Sequence, residues 1–237
     1  MEQDSTASVN FSHICIEGVI GAGKTSLCNL LAQRLNAQLV LEQAEENPFL
    51  TRFYQDRSSF AFQTQLWFLT SRYRQLTDSF SQHSLFHSIT VVDYMFAKDT
   101  IFANVNLDEN ELALYNQIYR VLVKNAPRPE FVVYLQASTE TLLQRIDKRG
   151  RPYEFNMAPD YIDLLNNAYN QFFFNYTNSP LLIINTNEID FVNNEGDLEE
   201  LAAQIMCTQH GTTFYQPLGE KTRRALDKQA GALAPLP

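Results

Sequence analysis

The chain has few cysteines, and their positions argue against a disulfide framework or a zinc site. Its 237 residues include only three, which are Cys15, Cys28 and Cys207. Three is an odd number, and the spacing is not that of metal ligands. Cys15 falls in an apolar segment and Cys28 on a predicted helix face, so we interpret both as small buried side chains. This usage is typical of a protein from a reducing compartment.

Positive charge is also scarce. The sequence carries 18 lysines and arginines against 27 aspartates and glutamates, which gives a formal net charge of −9. A long nucleic-acid polymer requires a basic face that neutralises many phosphates, so we do not expect that partner. A single nucleotide requires only a few well-placed cations. The net charge therefore does not exclude small phosphorylated ligands as partners.

Long apolar runs are absent as well. No segment approaches the ~20 residues that a membrane-spanning helix requires. Residues 1–12 are polar and acidic and lack the basic and apolar stretches of a signal peptide. We therefore expect a cytoplasmic protein with no membrane partner. The composition, with 45% hydrophobic and 19% charged residues, is that of an ordinary globular protein.

The sequence does contain an alternation of strand-like and helix-like segments. The predicted strands are His13–Glu17, Gln38–Glu42, Ser88–Asp93, Phe131–Gln136 and Leu181–Asn185. The predicted helices are Lys24–Leu35, Asn47–Asp56, Ser58–Phe80, Leu112–Lys124, Ser138–Arg149, Asp160–Tyr176 and Asp197–Cys207. This alternation predicts an α/β fold with a parallel sheet of about five strands, covered by helices on both faces. We assign residues 1–209 to one domain and residues 210–237, rich in Ala, Gly and Pro near the end, to a partly disordered extension.

The sharpest motif is GVIGAGKT at residues 18–25, which matches G-x-x-x-x-G-K-T between a predicted strand and a predicted helix. Glycines in such a turn let backbone N–H groups cradle phosphate oxygens, and the helix N-terminus adds partial positive charge. Lys24 is placed to reach the β- and γ-phosphates, and Thr25 to bind Mg²⁺. The motif predicts a fold of the P-loop NTPase type that binds a nucleotide and Mg²⁺, but alone it does not separate kinases from GTPases, motor ATPases or silent binders. The predicted nucleotide-binding residues of this loop are Gly18, Gly21, Ala22, Gly23, Lys24, Thr25 and Ser26.

A group of three arginines closes one predicted helix and opens a polar loop. Arg145 and Arg149 are four residues apart and share a helical face, and Arg151 follows a glycine. Three fixed cations suit the charge of a phosphoryl group in transfer, where one arginine contributes roughly 10³–10⁵ in rate. A solvated basic helix end is the alternative. Beside a P-loop, the pattern favours cations that contact the transferring phosphoryl group, with Arg145 and Arg149 as candidates for catalysis.

Two carboxylates follow predicted strands. Glu42 ends the second strand, at the edge of the sheet where open α/β proteins bind ligands, and can accept a proton from an attacking hydroxyl. Asp93 ends the third strand, where a carboxylate can hold Mg²⁺ through water beside the substrate. For each, a helix cap or a solvated loop acid is the alternative interpretation.

Together these segments resemble the deoxynucleoside kinase family, in particular its bacterial deoxyadenosine/deoxyguanosine kinase branch. The resemblance covers residues 12–207. It rests on the order and spacing of EGVIGAGKT (17–25), Glu42 with NPFL (47–50), FAFQ (60–63), IFA (101–103), YLQ (134–136) and the arginine segment 145–151. It implies a homodimeric kinase of nucleotide salvage that transfers the γ-phosphoryl group of ATP to the 5′-hydroxyl of a deoxynucleoside, with purines favoured.

The resemblance also implies roles for residues that face the acceptor. Glu42 would be the general base on the 5′-hydroxyl. Gln63 would hydrogen-bond the nucleobase edge through its amide. Tyr54 and Glu154 would contact the sugar 3′-hydroxyl. Thr70 lies near the position where some relatives carry a base-discriminating arginine.

On the donor side, Arg145, Arg149 and Arg151 would belong to an arginine-rich lid that closes over ATP. Asp190 and Phe191 would lie against the adenine of ATP. One departure from the family concerns the third strand, which members typically follow with Asp or Glu and then Arg-Ser. Here the run is DYMF at residues 93–96, so that arginine is absent. Either Lys98 or a lid arginine takes its place, or the enzyme is slower, or the substrate sits differently.

Two other functions remain compatible with these motifs. A thymidylate-type nucleoside monophosphate kinase shares the P-loop and the lid but requires extra cations for the acceptor phosphate, for which Arg52 and Arg57 are candidates. A nucleotide-binding regulator with weak catalysis is the second alternative, because the arginine after the third strand is missing.

Overall fold

The computed structural model describes residues 11–81, 87–155, 157–208 and 210–219. Within these ranges the strands form one sheet. Its strands are β1 (His13–Gly18), β2 (Gln38–Val40), β3 (Thr90–Val92), β4 (Phe131–Gln136), β5 (Leu181–Asn185) and β6 (Thr212–Tyr215). They lie in the order β2-β3-β1-β4-β5-β6, and every pairing is parallel.

The central strands are buried along their whole length. All six residues of β1 are buried, as are five of the six in β4. Consecutive burial of this kind is expected when helices cover both faces of a parallel sheet, because side chains of both alternating sets then meet apolar partners. The predicted α/β fold and parallel sheet are confirmed, with one strand more than expected.

Eight helices connect and cover the described strands. They are α1 (Lys24–Leu35), α2 (Leu50–Gln55), α3 (Arg57–Ser81), α4 (Lys98–Asn106), α5 (Glu109–Leu122), α6 (Thr139–Arg149), α7 (Pro159–Phe174) and α8 (Glu195–Cys207). All of the predicted helices are present, and α4 is an addition. No helix within the described ranges has both the length and the apolar character that a membrane span requires.

The predicted C-terminal extension contains a strand. Residues 212–215 form β6, which pairs in parallel with β5 from Leu181↔Thr212 to Ile184↔Tyr215. This part of the extension is therefore ordered, contrary to the expectation of a loose tail that begins at residue 210. Residues 220–237 lie outside the described residues, so the disorder expected for them stays a prediction.

The strand order brings three chain segments to one edge of the sheet. The glycine-rich turn follows β1, and β3 lies directly beside β1 with β2 on its other side. Because all strands are parallel, the turn after β1, Asp93 after β3 and Glu42 after β2 come together at the carboxyl edge. This is the edge at which open α/β sheets bind ligands.

Candidate active site

The glycines of the turn after β1 are required by its geometry. Gly21 and Gly23 have φ values of 87° and 96°, which favour glycine. A Cβ on Gly21 would lie 2.7 Å from the carbonyl oxygen of Leu142, and one on Gly23 would lie 2.9 Å from Cζ of Phe191. These glycines therefore permit a tight loop at the N-terminus of α1, where backbone N–H groups and the helix dipole favour the binding of phosphate.

Lys24 is the first residue of α1, and its ammonium group is folded onto this loop. Its Nζ donates to the carbonyl oxygens of Gly18 at 2.8 Å and Val19 at 3.1 Å. Burial lowers the pKa of Lys24 to about 8, and the neighbouring ammonium of Lys98 lowers it further. A phosphate anion at the loop would stabilise the charged form of this lysine.

A hydroxyl and a carboxylate meet beside the loop. Thr25 Oγ1 donates to Asp93 Oδ2 at 2.9 Å, and the backbone N–H of Glu42 donates to Asp93 Oδ1 at 2.6 Å. Burial raises the pKa of Asp93, and the negative charge of Glu42 raises it further. A divalent cation beside Asp93 would stabilise its charged form and so offset both effects.

The described residues contain no cluster of three or more His, Cys, Asp or Glu able to hold a metal alone. Two protein oxygens, from Thr25 and Asp93, fit Mg²⁺, which takes the rest of its shell from phosphates and water.

Glu42 is held by two cations, one on each carboxylate oxygen. Its Oε1 accepts from Nε of Arg72 at 2.7 Å and also from Nη2 of the same side chain. Its Oε2 accepts from Nζ of Lys98 at 2.8 Å. Burial raises the pKa of Glu42, but the attraction of Arg72 and Lys98 outweighs burial and holds the pKa well below its usual range. Glu42 is therefore ionised at neutral pH.

Arg72 is held in turn by a second acid. Its Nη1 donates to Asp99 Oδ1, and the side chain of Asp99 is fully buried. Burial raises the pKa of Asp99 to about 6 although Arg72 opposes the shift. The other carboxylate oxygen, Oδ2, is buried and has no hydrogen-bond partner among the described residues. Glu42, Arg72 and Asp99 thus form a buried chain of charges that leads from the loop towards α4.

These groups line a cavity of about 310 Å³. This volume lies at the lower end of the range for small-molecule sites, roughly 300–1,000 Å³. The predicted site residues that line it are Lys24, Thr25, Glu42, Tyr54, Asp93, Arg149, Arg151 and Glu154. Other lining residues include Phe53, Gln65, Phe68, Arg72, Lys98, Phe102, Tyr153 and Tyr161. The cavity therefore combines an anion-binding end with aromatic walls.

Two predicted base-contacting residues lie elsewhere. Gln63 and Thr70 are exposed on α3 and do not line the cavity, and the Thr70 hydroxyl donates to carbonyl oxygens of its own helix. Gln65 and Arg72 line it instead. Because an α-helix turns about 100° per residue, a shift of two residues moves a side chain about 200° around the axis.

A signal for this correction was present in the sequence. Gln65, Phe68, Leu69, Arg72 and Leu76 are all buried on α3. They follow the spacing i, i+3, i+4, i+7 and i+11 that marks the inward face of a helix. That spacing places Gln65 and Arg72 on the same face as the apolar residues and leaves Gln63 outside it.

The lid arginines divide into two groups. Arg149 donates to both carboxylate oxygens of Glu154, at 2.7 Å and 2.8 Å from Nη2, and Arg151 donates to the Tyr153 hydroxyl at 2.9 Å. Both arginines line the cavity. The Tyr153 ring is stacked on the Tyr54 ring at 6.1 Å between centroids. The predicted lid and sugar-contacting residues therefore lie together above the cavity.

Arg145 has a different environment. Its Nη1 donates to Thr186 Oγ1 at 3.0 Å, and its Nη2 donates to the Thr186 carbonyl oxygen at 2.6 Å. A longer contact of 3.5 Å reaches the Ala22 carbonyl oxygen of the loop. Arg145 does not line the cavity, so the structure does not support its predicted catalytic role. It instead connects the loop after β1 to the end of β5.

The Asp190–Phe191 segment packs against the same loop that Arg145 contacts. The Phe191 ring is buried and packs so closely against Gly23 that it leaves no room for a Cβ at that position. The Asp190 carboxylate accepts from the backbone N–H groups of Val192 and Asn193. The Asp190 carboxylate therefore stabilises the turn that follows it in the chain. A contact with adenine stays a prediction for both residues.

Comparison with known proteins identifies relatives over most of the chain. The model of the family "Deoxynucleoside kinase" matches residues 14–209. Deoxyguanosine kinase of Bacillus subtilis is 38% identical over 197 residues, which cover 81% of this chain and 95% of that protein. Deoxyadenosine kinase of Lactobacillus acidophilus is 30% identical and covers 81% of this chain and 94% of its own length. Deoxyadenosine kinase of M. mycoides, solved with dATP bound, superimposes with a TM-score of 0.70 at 28% identity, covering 81% of this chain and 97% of that one.

Proposed function

The chain belongs to the deoxynucleoside kinase family, and from this premise we propose that it transfers the γ-phosphoryl group of ATP to the 5′-hydroxyl of a purine deoxynucleoside. The observation that carries the proposal is the convergence of three elements in one cavity of about 310 Å³. These elements are the lysine of the glycine-rich loop, the ionised Glu42 and the arginines of the lid. The two relatives compared above support a purine, because one is named a deoxyguanosine kinase and the other a deoxyadenosine kinase.

The donor phosphates fit the glycine-rich loop and Lys24. On binding, the ammonium would exchange the carbonyl oxygens of Gly18 and Val19 for phosphate oxygens, which carry more charge. Thr25 and Asp93 would hold Mg²⁺, whose charge neutralises the phosphate oxygens during transfer. Burial of the donor phosphates between these groups excludes water and limits hydrolysis of ATP.

Glu42 is positioned to accept the proton of the acceptor hydroxyl. Its carboxylate is ionised and its orientation is fixed on both oxygens, so it can orient the hydroxyl for attack. Because it is held by two cations it is a weak base. A weak base suffices, since the transition state of phosphoryl transfer is loose and the proton leaves late. Positioning and electrostatics therefore contribute more than basicity.

Gln65 is the residue that we propose for the nucleobase. Its side chain is buried in the cavity wall, and its Oε1 has no hydrogen-bond partner among the described residues. An amide offers both a donor and an acceptor, as the edge of a purine requires. The Phe68 ring lines the cavity on the same face of α3 and offers a surface for stacking.

The sugar would lie between Glu42 and the lid. Tyr54 and Glu154 line the cavity there, and Arg149 holds the Glu154 carboxylate. We propose that both contact the 3′-hydroxyl of the sugar. Arg149 and Arg151 would turn towards the phosphates when the lid closes, which completes the cationic surface around the phosphoryl group.

The geometry does not favour the two alternatives. Arg52 and Arg57, the candidate cations for an acceptor phosphate, do not line the cavity. Their guanidinium groups lie over the rings of Phe60 and Tyr161, at 5.7 Å and 4.4 Å. A regulator without turnover would not need a carboxylate oriented beside the phosphate loop, whereas Glu42 is held there by two cations.

A coupled assay of the full chain tests the proposal. ATP and Mg²⁺ are combined with each of the four deoxynucleosides and, separately, with their monophosphates. We expect ADP formation with deoxyguanosine or deoxyadenosine and loss of that turnover in Lys24→Ala. Turnover with monophosphates alone would overturn the proposal in favour of a monophosphate kinase. Binding of ATP without turnover of any acceptor would favour a regulator.

We also propose a cytoplasmic homodimer, as the family resemblance implies. Exposed apolar side chains support a paired surface, notably Leu114 and Val121 on α5 and Leu164 and Phe174 on α7. Sedimentation equilibrium gives the mass in solution directly. A mass of 27.2 kDa at micromolar concentration would identify a monomer and reject the dimer.

A further inference from the structure

The residue that follows Asp93 does not reach the cavity. Tyr94 is fully buried, and its hydroxyl donates to Gln75 Oε1 at 2.6 Å. The Gln75 amide in turn donates to the Leu41 carbonyl oxygen at 2.8 Å. Tyr94 therefore packs against α3, and the cavity receives no charge from this position.

A cation reaches the same place from the start of α4. Lys98 is the first residue of that helix, and its side chain is only 4% exposed. Its Nζ lies 2.8 Å from Glu42 Oε2, and the residue lines the cavity. Lysines are rarely buried this far, because desolvation of an ammonium is costly unless a partner compensates.

The partners of Glu42 are not equivalent. Arg72 occupies Oε1 with two N–H groups and is itself neutralised by Asp99. Lys98 donates to Oε2 alone. A hydroxyl bound to the free lone pair of Oε2 would therefore lie beside the Lys98 ammonium, which has protons to spare.

A second argument comes from the position of two lysines. Lys24 and Lys98 both line the cavity, and the side chain of Lys98 is only 4% exposed. Two ammonium groups that line one cavity favour an anion between them. The γ-phosphoryl group would occupy this position during its transfer from the donor at the loop to the acceptor oxygen beside Glu42.

We propose that Lys98 is a further catalytic residue, whose ammonium contacts the acceptor oxygen and the transferring phosphoryl group opposite Lys24. The inference rests on the proposed function and adds the cation on the acceptor side. In the step itself the 5′-oxygen forms a bond to Pγ while the bond from Pγ to the bridging oxygen of ADP breaks. The hydroxyl proton passes to Glu42. Lys98 keeps all its protons and stabilises charge on the moving oxygens.

The test compares three variants of the full chain. Lys98→Met removes the charge at nearly constant volume, Lys98→Arg keeps it, and Lys124→Met removes an exposed lysine in the turn after α5 as a matched control. Each is assayed for kcat and KM with deoxyguanosine and ATP. Removal of one fixed charge-stabilising donor costs about 10²–10³ in kcat. We expect a loss of that size in Lys98→Met with the KM for ATP within about threefold, partial rescue in Lys98→Arg, and no change in Lys124→Met.

A binding measurement separates catalysis from support of the fold and does not depend on turnover. A bisubstrate analogue, deoxyguanosine joined through a polyphosphate to adenosine, fills the space between the two lysines. Its Kd should rise at least tenfold in Lys98→Met, while thermal unfolding and the Kd of ATP stay near those of the wild type.

Equal analogue affinity in wild type and Lys98→Met would overturn the inference whether or not the chain turns over deoxynucleosides. If the wild type turned over no deoxynucleoside but still bound the analogue more tightly than Lys98→Met, the proposed reaction would be rejected. The anion site between Lys24 and Lys98 would then be retained. Failure of the wild type to bind the analogue would reject both.

Discussion

The two edges of the sheet are built from the same strands but differ sharply in what they bury. Among the described residues, the carboxyl edge carries a group of buried charges, which are Glu17, Arg72, Asp93, Lys98 and Asp99. At the amino edge, His13 is buried at the start of β1. Its Nδ1 contacts the Arg128 carbonyl oxygen at 2.9 Å, and its ring packs on Phe80. Burial lowers its pKa to about 4, so it is neutral.

The difference separates stability from function. Buried charges cost desolvation energy that their pairing does not fully return, so a fold selected only for stability would not gather them in one place. The amino edge buries a neutral ring instead, with one hydrogen bond at Nδ1. We therefore expect substitutions at the carboxyl edge to change turnover more than stability, and the reverse at the amino edge.

The largest effect is expected at Glu42. Glu42→Gln keeps the shape of the side chain but removes the proton acceptor and the partner charge of Arg72 and Lys98. We expect kcat to fall by about 10²–10⁴, the usual contribution of general acid–base catalysis. Steady-state kinetics and thermal unfolding are measured together, with Glu46→Gln as an exposed control nearby. Near wild-type turnover in Glu42→Gln would remove the general-base assignment.

A smaller effect is expected at Gln65. Gln65→Leu removes the amide but keeps the side-chain volume, and the loss of two hydrogen bonds to a base corresponds to about 10- to 100-fold in kcat/KM. The KM for ATP should not change, because Gln65 lies at the acceptor end of the cavity. Gln63→Leu is the matched control on the exposed side of the same helix. If Gln63→Leu had the larger effect, our placement of the base would be wrong.

The smallest effect on turnover is expected at His13. The pKa of His13 is lowered from 6.5 to about 4 in the folded state, so the unfolded chain binds the proton more readily. The stability that neutral His13 contributes is present above pH 6.5 and is lost as the pH falls towards 4, by up to about 3 kcal/mol.

The check is denaturant unfolding of the wild type and His13→Leu at several pH values. The difference in unfolding free energy between them should shrink on acidification, with turnover at neutral pH equal in both. A difference independent of pH would mean that His13 is not buried as a neutral ring.

The parts of this molecule that sequence reasoning recovered are those with local signals. Strand and helix periods identified most elements, and the glycine spacing identified the loop before Lys24. Glu42 and Asp93 were identified because they follow strands that a parallel sheet aligns. Each of these inferences depends on residues that are neighbours along the chain.

The parts that were missed depend on orientation or on distant partners. The choice between Gln63 and Gln65 depends on the rotational phase of α3, and the family motif overrode that phase. The direction of Arg145 depends on Thr186, which lies 41 positions away. The burial of Lys98 depends on Glu42, and β6 forms because β5 offers a free edge. Short polar strands such as TTFY give little periodic signal on their own.

The position of β6 has a practical consequence for anyone who shortens this protein. The family match ends at residue 209, which makes that residue the obvious place to truncate. A chain cut there would lose β6 and leave β5, with the run LLII, as the outer margin of the sheet. An uncovered apolar strand is a template for pairing with another copy. Expression trials that keep residues up to at least 215 should therefore give more soluble material than trials that stop at 209.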